Sequence, residues 1–381
     1  MKKIAFIATS YIRQYDGVSV YIENLLIELI KQKELLIDIY VGRSVLSLLK
    51  QRLLDELSDN LENIEFIPVC DKSFFLKTIH LRYKIFKSHK YDLIFINNLM
   101  PFLSSKDKKL KVIHDFSISK FPNLYSKFRQ LYEFFLIKST ILFDYGIGYI
   151  SNSTKSDLKE FFNVDESDKT LLHLPNGIPF KVKKYTRPSH DRALLKYKQK
   201  DLRLCVVGRI NTHKGFDRLL KFCNYYDSIT IFDTVSLHIV GKQTSETKTI
   251  LNSQHFKNIR LIFEGFLNDE ELNKIYKNSH FSFFLSRNEG YGIPLIEAMW
   301  FKSIPIISNI PIFEEIMGKK FPKFDENSGY EEAIADFINS VFSDENYLKK
   351  IYLDIESVVK KEATGYEHSA KNLITFIKNL P

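Results

Sequence analysis

The sequence predicts an α/β protein made of two domains of doubly wound parallel sheet, and three observations carry that prediction. Short apolar runs alternate with segments of helical spacing along almost the whole chain. The alternation lapses once, in a polar, basic stretch over residues 181–200, and then starts again. The chain of 381 residues is long enough for two full cores. Strands that alternate with helices imply parallel sheets covered on both faces.

In the first half, Ile4–Thr9 is a short apolar run followed by a turn at Asp16-Gly17. Residues Val20–Lys31 then carry helical spacing through Tyr21, Leu25, Leu29 and Ile30. Further buried strands are expected at Ile37–Val41, Ile64–Val69, Leu93–Ile96, Lys111–His114, Tyr145–Ile150 and Thr170–Leu174. In the second half, Arg203–Val207, Leu237–Val240, Ile259–Phe263, Phe281–Leu285 and Ile304–Ile307 read as strands. The last stretch, Ser369–Asn379, reads as an amphipathic helix. The expected division is a first Rossmann-like domain over 1–180, a basic linker over 181–200 and a second such domain over 201–360. A helix within 361–381 is expected to pack back on the first domain. In such sheets ligands collect beyond the carboxyl ends of strands, so the strand-to-helix turns are where chemistry is sought.

Composition narrows the class. Apolar residues make up 44% and charged residues 27%, the balance of a soluble globular protein. The amino-terminal apolar run Ile4–Ala8 is too short for a signal-peptide core, and no run approaches the roughly 20 apolar residues of a membrane span. The expected location is the cytoplasm. Cys70, Cys205 and Cys223 have no metal-ligand or CxxC spacing, so neither zinc nor a disulfide is expected.

The formal charge of +9 is concentrated in two places. Residues 181–200 hold eight Lys/Arg against one Asp. Lys72–Lys90 holds six Lys/Arg and no acid, interleaved with Phe74, Phe75, Leu76, Ile79, Leu81, Ile85 and Phe86. Such a segment suits an anionic membrane surface, and equally a solvated helix with its apolar face on its own domain. Nucleic acid is not expected, because no zinc-finger, RRM or helix-turn-helix signature accompanies the charge.

The strongest chemical signal is the run from Ser286 to Met299. A strand ends at Leu285, a loop carries Gly290 and Gly292, and Pro294 marks the first turn of a helix beginning near Ile293. Glycines let backbone approach a ligand, and the free N–H groups of a helix start attract phosphate. Glu297, a turn into that helix, is placed to accept from ribose hydroxyls, and Glu289 to face a sugar. Upstream, Gly208-Arg209-Ile210 and His213-Lys214-Gly215 follow another strand. Arg209 and Lys214 are thus two cations beside a helix start. His114-Asp115 ends a third strand.

Glu289 through Glu297 resembles the E-x7-E element of retaining family-four glycosyltransferases, the bacterial polysaccharide and lipopolysaccharide group 1 enzymes, which have the GT-B fold of two Rossmann-like domains facing across a cleft. Gly208-Arg209 and Lys214-Gly215 resemble the family's GR…KG stretch, and His114-Asp115 with Pro122 resembles its HD…P element. Asp16-Gly17-Val18-Ser19 is similar to the family's glycine loop, with Asp16 where a first glycine is usual. Pro175-Asn176-Gly177-Ile178 is similar to its interdomain turn, with Pro179 where an acid is common. Ser308–Gly318, containing Glu315, is similar to the closing turn near base or ribose. The resemblance implies catalytic roles for His114, Arg209, Lys214 and Glu289. It implies donor binding by Gly17, Gly208, Gly290, Tyr291, Gly292, Ile293 and Glu297, and support from Asp115, Asn176 and Glu315.

It further implies transfer from a nucleotide diphosphate sugar, with retention and without a metal or other cofactor, by a donor-binding second domain and an acceptor-side first domain. The expected acceptor is a glycan or lipid-linked glycan of bacterial surface polysaccharide (O-antigen, capsule or core). The HD…P element favours mannose or rhamnose as the sugar, while UDP-linked N-acetylglucosamine or glucose stays open. Peripheral contact with an anionic inner membrane through Lys72–Lys90 is part of the same expectation. A catalytically silent GT-B scaffold or sugar-nucleotide sensor is the alternative of another class.

Overall fold

The strands of both halves are parallel and form two separate sheets. The computed structural model describes residues 1–381 except 13–15, 59–60, 88–90, 101–107, 165–166, 168–169, 199, 243–250, 252–254 and 327–328. Those residues divide into one unit of Met1–Phe180 with Thr364–Pro381, and a second of Lys181–Ala363.

The first unit holds β1 (Lys2–Ile7), β2 (Leu35–Gly42), β3 (Ile64–Val69), β4 (Leu93–Ile96), β5 (Lys109–Ile113), β6 (Gly146–Tyr149) and β7 (Thr170–His173), in the order β3-β2-β1-β4-β5-β6-β7. The second holds β8 (Asp201–Val207), β9 (Thr234–Val240), β10 (Ile259–Gly265), β11 (Phe281–Phe284) and β12 (Ile304–Ile307), in the order β10-β9-β8-β11-β12. Every strand read from the sequence is present, with some ends shifted. β5 starts earlier than its apolar run because Lys109 and Lys111 are buried within it, paired to Asp144 at 3.4 and 3.1 Å. In both sheets the strand order reverses direction, between β1 and β4 and between β8 and β11. At such a switch point the adjoining loops lead to opposite faces and leave a crevice beyond the strand ends.

Three local departures have physical causes. The turn expected at Asp16-Gly17 is a helix start: Asp16 caps the helix Gly17–Gln32, its carboxylate accepting from Ser19 N at 2.8 Å. Residues 181–200, expected as a linker, are largely folded onto the second unit through the helices Phe180–Lys183 and His190–Leu194. Lys196 there donates from Nζ to the carbonyls of Ser279 and Lys302 at 2.8 and 3.1 Å, and Tyr197 is buried. Charge density suggested solvent, but Lys181, Lys183, Arg187 and Lys196 have carbonyl or carboxylate partners. The helix Gly365–Lys378 lies in the first unit, where Tyr366 donates to Asn176 Oδ1 at 3.2 Å and Asn372 to the His173 carbonyl at 2.9 Å.

The basic segment forms the helix Phe74–Lys87, with residues 88–90 outside the described residues. Leu81 and Ile85 sink into the core beside Ala5, Ile7, Ile94 and Ile96, while Leu76, Ile79 and Tyr83 stay exposed.

Candidate functional site

The carboxyl ends of β8 and β11, neighbours at the switch point, bring together two loops that are far apart in sequence. After β8, Gly208 takes φ +135°. Its carbonyl lies so close to Gly241 that a Cβ there would come within 1.9 Å of it. Asn211 then caps a short 3-10 turn, Thr212–Lys214, accepting from Lys214 N at 2.9 Å. Gly215 closes the turn with φ +70°, and a Cβ on it would sit 1.9 Å from the Leu285 carbonyl oxygen. Only glycine allows this approach, which fixes Lys214 at the end of β11.

The loop after β11 is tied to that turn by charge. Lys214 Nζ lies 2.7 Å from each oxygen of Glu289, and Ser286 Oγ donates to Glu289 Oε1 at 2.8 Å. Ser286 is itself held by Ser308, whose hydroxyl donates to the Ser286 carbonyl at 2.5 Å. Arg287 was not singled out from sequence, yet it makes the firmest junction. Its guanidinium pairs with both oxygens of Asp217 at 2.8 Å and with Glu326 at 2.8 Å, and it also donates to the Thr212 carbonyl. Its backbone N–H donates to the His213 carbonyl at 3.0 Å. The hydrogen bonds with Asp217 and the nearby acids hold the Arg287 pKa above its ordinary value.

Gly208, Arg209, Lys214, Ser286, Glu289 and Gly292 line a cavity of about 70 Å³. Arg209 is exposed and makes no ion pair among the described residues. Gly292, with φ +98°, precedes the helix Ile293–Trp300, and no side chain caps that start. Two cations, a carboxylate and an uncapped helix start thus border one small crevice whose floor is largely apolar, an arrangement suited to an anion with hydroxyl groups beside it.

Other expected residues are engaged elsewhere in the second unit. Glu297 is buried and pairs with Lys181 at 3.3 Å, while Lys181 also reaches Asp269 at 3.0 Å. Burial pushes the Glu297 pKa up, and Lys181 works against that rise. Burial alone would lower Lys181, but Glu297 and Asp269 outweigh it and hold the ammonium charged. Tyr291 is buried and donates its hydroxyl to Glu362, and Gly290 is half-buried in the loop between Glu289 and Tyr291. Glu315, half-buried on the helix Pro311–Met317, has its carbonyl 3.4 Å from Lys361 Nζ.

In the first unit, His114 follows β5 at the end of the sheet. Its Nε2 lies 2.6 Å from the carbonyl oxygen of Asn97, after β4, and its ring meets Tyr21 edge-on at 5.0 Å. A carbonyl only accepts, so Nε2 carries the proton. Burial lowers the His114 pKa, which favours the neutral ring and leaves Nδ1 as a hydrogen-bond acceptor. Asp115 accepts from Ser117 N at 2.9 Å and orders the turn after His114. Gly17 begins a helix where an added Cβ would meet nothing. Asn176 is buried and fixed by Tyr366. Neither Asn97 nor Tyr21 stands in any spacing pattern that would have exposed its link to His114.

Comparison with known proteins shows what the second unit and the fold are similar to. Residues 189–354 match the family Glycosyl transferases group 1. The serotype-specific mannosyltransferase WbdA of Escherichia coli is 30% identical over 148 residues, 38% of this chain and 18% of WbdA. The O-antigen chain mannosyltransferase RfbU of Salmonella typhimurium is 23% identical over 228 residues, 58% of each chain. This chain therefore spans under two thirds of either relative. Anabaena HepE, solved in complex with UDP-glucose, superposes with a TM-score of 0.70 at 16% identity over 99% of this chain and 100% of its own. The fold is GT-B, and residues 189–354 of the second unit are similar to the group 1 glycosyltransferases.

Proposed function

We propose that this protein, whose residues 189–354 are similar to group 1 glycosyltransferases, moves a hexose, mannose in the first instance, from a nucleotide diphosphate sugar to a hydroxyl of a glycan or lipid-linked glycan during bacterial surface-polysaccharide assembly. The observation that carries the reading is the meeting of Arg209, Lys214 and Glu289 around the crevice between β8 and β11. Arg209, Lys214 and the helix start at Ile293 neutralise the departing diphosphate, so no metal is needed for that charge. Glu289 orients sugar hydroxyls, and Nδ1 of His114 accepts from a substrate hydroxyl. The acceptor oxygen bonds to the anomeric carbon on the face from which the diphosphate oxygen leaves. The acceptor proton passes to a phosphate oxygen, and configuration is retained. Both curated relatives are mannosyltransferases by name, which supports mannose. HepE was solved with UDP-glucose, which keeps a UDP-linked glucose or N-acetylglucosamine donor as the second reading. A protein acting at the cytoplasmic face on a lipid-linked acceptor has use for the basic helix Phe74–Lys87 as a peripheral contact.

Thermal melting with UDP, GDP, dTDP, CMP and their sugars tests the donor. A donor at 100 times its dissociation constant adds about 2.7 kcal/mol. Stabilisation by GDP-mannose, abolished in Arg209→Ala/Lys214→Ala and accompanied by GDP release in the presence of an O-antigen acceptor and EDTA, is the expected result. Stabilisation by UDP-sugars alone replaces mannose with the second reading. Binding without release of nucleotide under any acceptor assigns a sensor or scaffold instead.

A further inference from the structure

The outer surface of the first unit carries more exposed apolar side chain than folding explains, and it is concentrated on the helix Lys127–Phe143. Leu136, Ile137 and Thr140 bury one side of that helix. On the other side Phe128 is 79% exposed, Leu131 55%, Phe135 60% and Leu142 69%, with Leu124 at 52% just before the helix. Their spacing of four, three, four and seven residues makes a continuous stripe along one helix face. Three cations, Lys127, Arg129 and Lys138, stand on the helix against the single carboxylate of Glu133. Arg129 lies over the ring of Tyr125 at 5.1 Å and Lys138 over that of Phe134 at 5.7 Å, so cations border the aromatic surface.

The helix Phe74–Lys87 stands on the same face of the sheet. Neighbours in register across parallel strands point the same way. Ile7 pairs with Ile96, Ile96 with Lys111, and Lys111 with Ile147. Leu81 and Ile85 pack on the Ile7–Ile96 end of that row, and Ile137 packs beside Ile147. Both helices thus turn their outer sides the same way. The first adds Leu76, Ile79 and Tyr83, each about half exposed, among Lys72, Arg82 and Lys87.

We propose that this face, led by the stripe Phe128–Leu131–Phe135–Leu142, lies in the interfacial layer of an anionic bilayer, with the Phe74–Lys87 helix supplying charge beside it. It deepens the lipid-linked acceptor reading and rests on it only for its purpose. Aromatic side chains with cationic borders fit the boundary between headgroups and acyl chains. A symmetric pair of copies would instead press the same cations against each other. No described helix is long and apolar enough to cross a membrane, so the helix lies along the surface.

The test is co-sedimentation of the full chain with vesicles of phosphatidylglycerol and phosphatidylcholine, and of phosphatidylcholine alone. Wild type is expected to pellet with the anionic vesicles and much less with the neutral ones. Phe128→Ser/Leu131→Ser/Phe135→Ser is expected to bind about tenfold more weakly. Its melting temperature should match wild type, since the replaced side chains are exposed. Phe128→Trp should shift its emission to the blue on anionic vesicles only. Wild type left in the supernatant, or a triple variant that binds equally well, overturns the proposal. So does a dimer, seen by sedimentation equilibrium, that the triple variant abolishes while vesicle binding is absent. Nucleotide-sugar stabilisation is read without vesicles on the same samples. Its failure would remove the transferase reading and leave the docking result standing.

Discussion

Lys214 cannot present its full charge to a diphosphate while both oxygens of Glu289 hold it at 2.7 Å. Donor binding therefore exchanges one ion pair for another and frees Glu289 for sugar hydroxyls in the same step. Glu289→Gln is expected to tighten nucleoside diphosphate binding a few-fold and to lower turnover by about 10² to 10³. Isothermal titration and product release measure the two sides, and equal losses in both would show that the pair is not a latch. Arg287→Lys keeps a charge but loses the fork that spans Asp217 and Glu326. It should cost about 10-fold or more in kcat/KM, carried mainly by KM, because the two loops that hold the diphosphate lose their register. Gly215→Ala should destabilise the second unit by about 2 kcal/mol or more, whereas Gly17→Ala should leave melting unchanged. Arg209, Lys214 and Glu289 were legible in the sequence because strand ends, glycines and charge occur there at short spacing. Arg287, Asn97 and Lys181 were not, since each acts through a partner in a distant segment.

Helices and strands differ in how openly they announce themselves. Strands such as β4 and β12 are buried along their whole length and read as unbroken apolar runs, while β3, β7 and β10 are partly exposed and were legible from apolar residues interrupted by polar ones. Where β5 departs from its run, two lysines are buried against Asp144, and a polar signature hides a core position. The helix Lys127–Phe143 shows the converse, apolar in sequence yet partly turned to solvent. On that helix burial raises Glu133 from its ordinary 4.5 to about 7, with Asp115 adding to the rise. The folded unit then holds this proton more tightly than the unfolded chain does. Its contribution to stability is present below pH 4.5 and is lost as pH climbs towards 7. Glu133→Gln should flatten that decline, as followed by the melting temperature of the first unit between those pH values.

At the scale of the molecule, the second unit has the opposite pH response. His280 is fully buried, with Nδ1 accepting from Arg203 N at 2.9 Å and Nε2 lying 2.9 Å from the Lys196 carbonyl, so both nitrogens are committed to the neutral ring. Burial lowers its pKa to about 4. The unfolded chain therefore takes up a proton before the folded one does, and stability is lost as pH falls from 6.5 to about 4. The loss is on the order of 3 kcal/mol. Calorimetry should show the transition of the second unit falling between pH 6.5 and about 4, and His280→Gln, which keeps an acceptor and a donor, should hold it steadier.

The return of Thr364–Pro381 to the first unit has a consequence for how the chain is made. The ribosome delivers residues 1–180 early, but the helix that packs beside Gly17–Gln32 and holds Asn176 comes only after the second unit. At about 5–20 residues per second, the first unit waits roughly 10–40 s for its closing piece. The second unit, continuous from Lys181 to Ala363, is complete before that wait ends. Synthesis thus completes the second unit before it supplies the segment that closes the first.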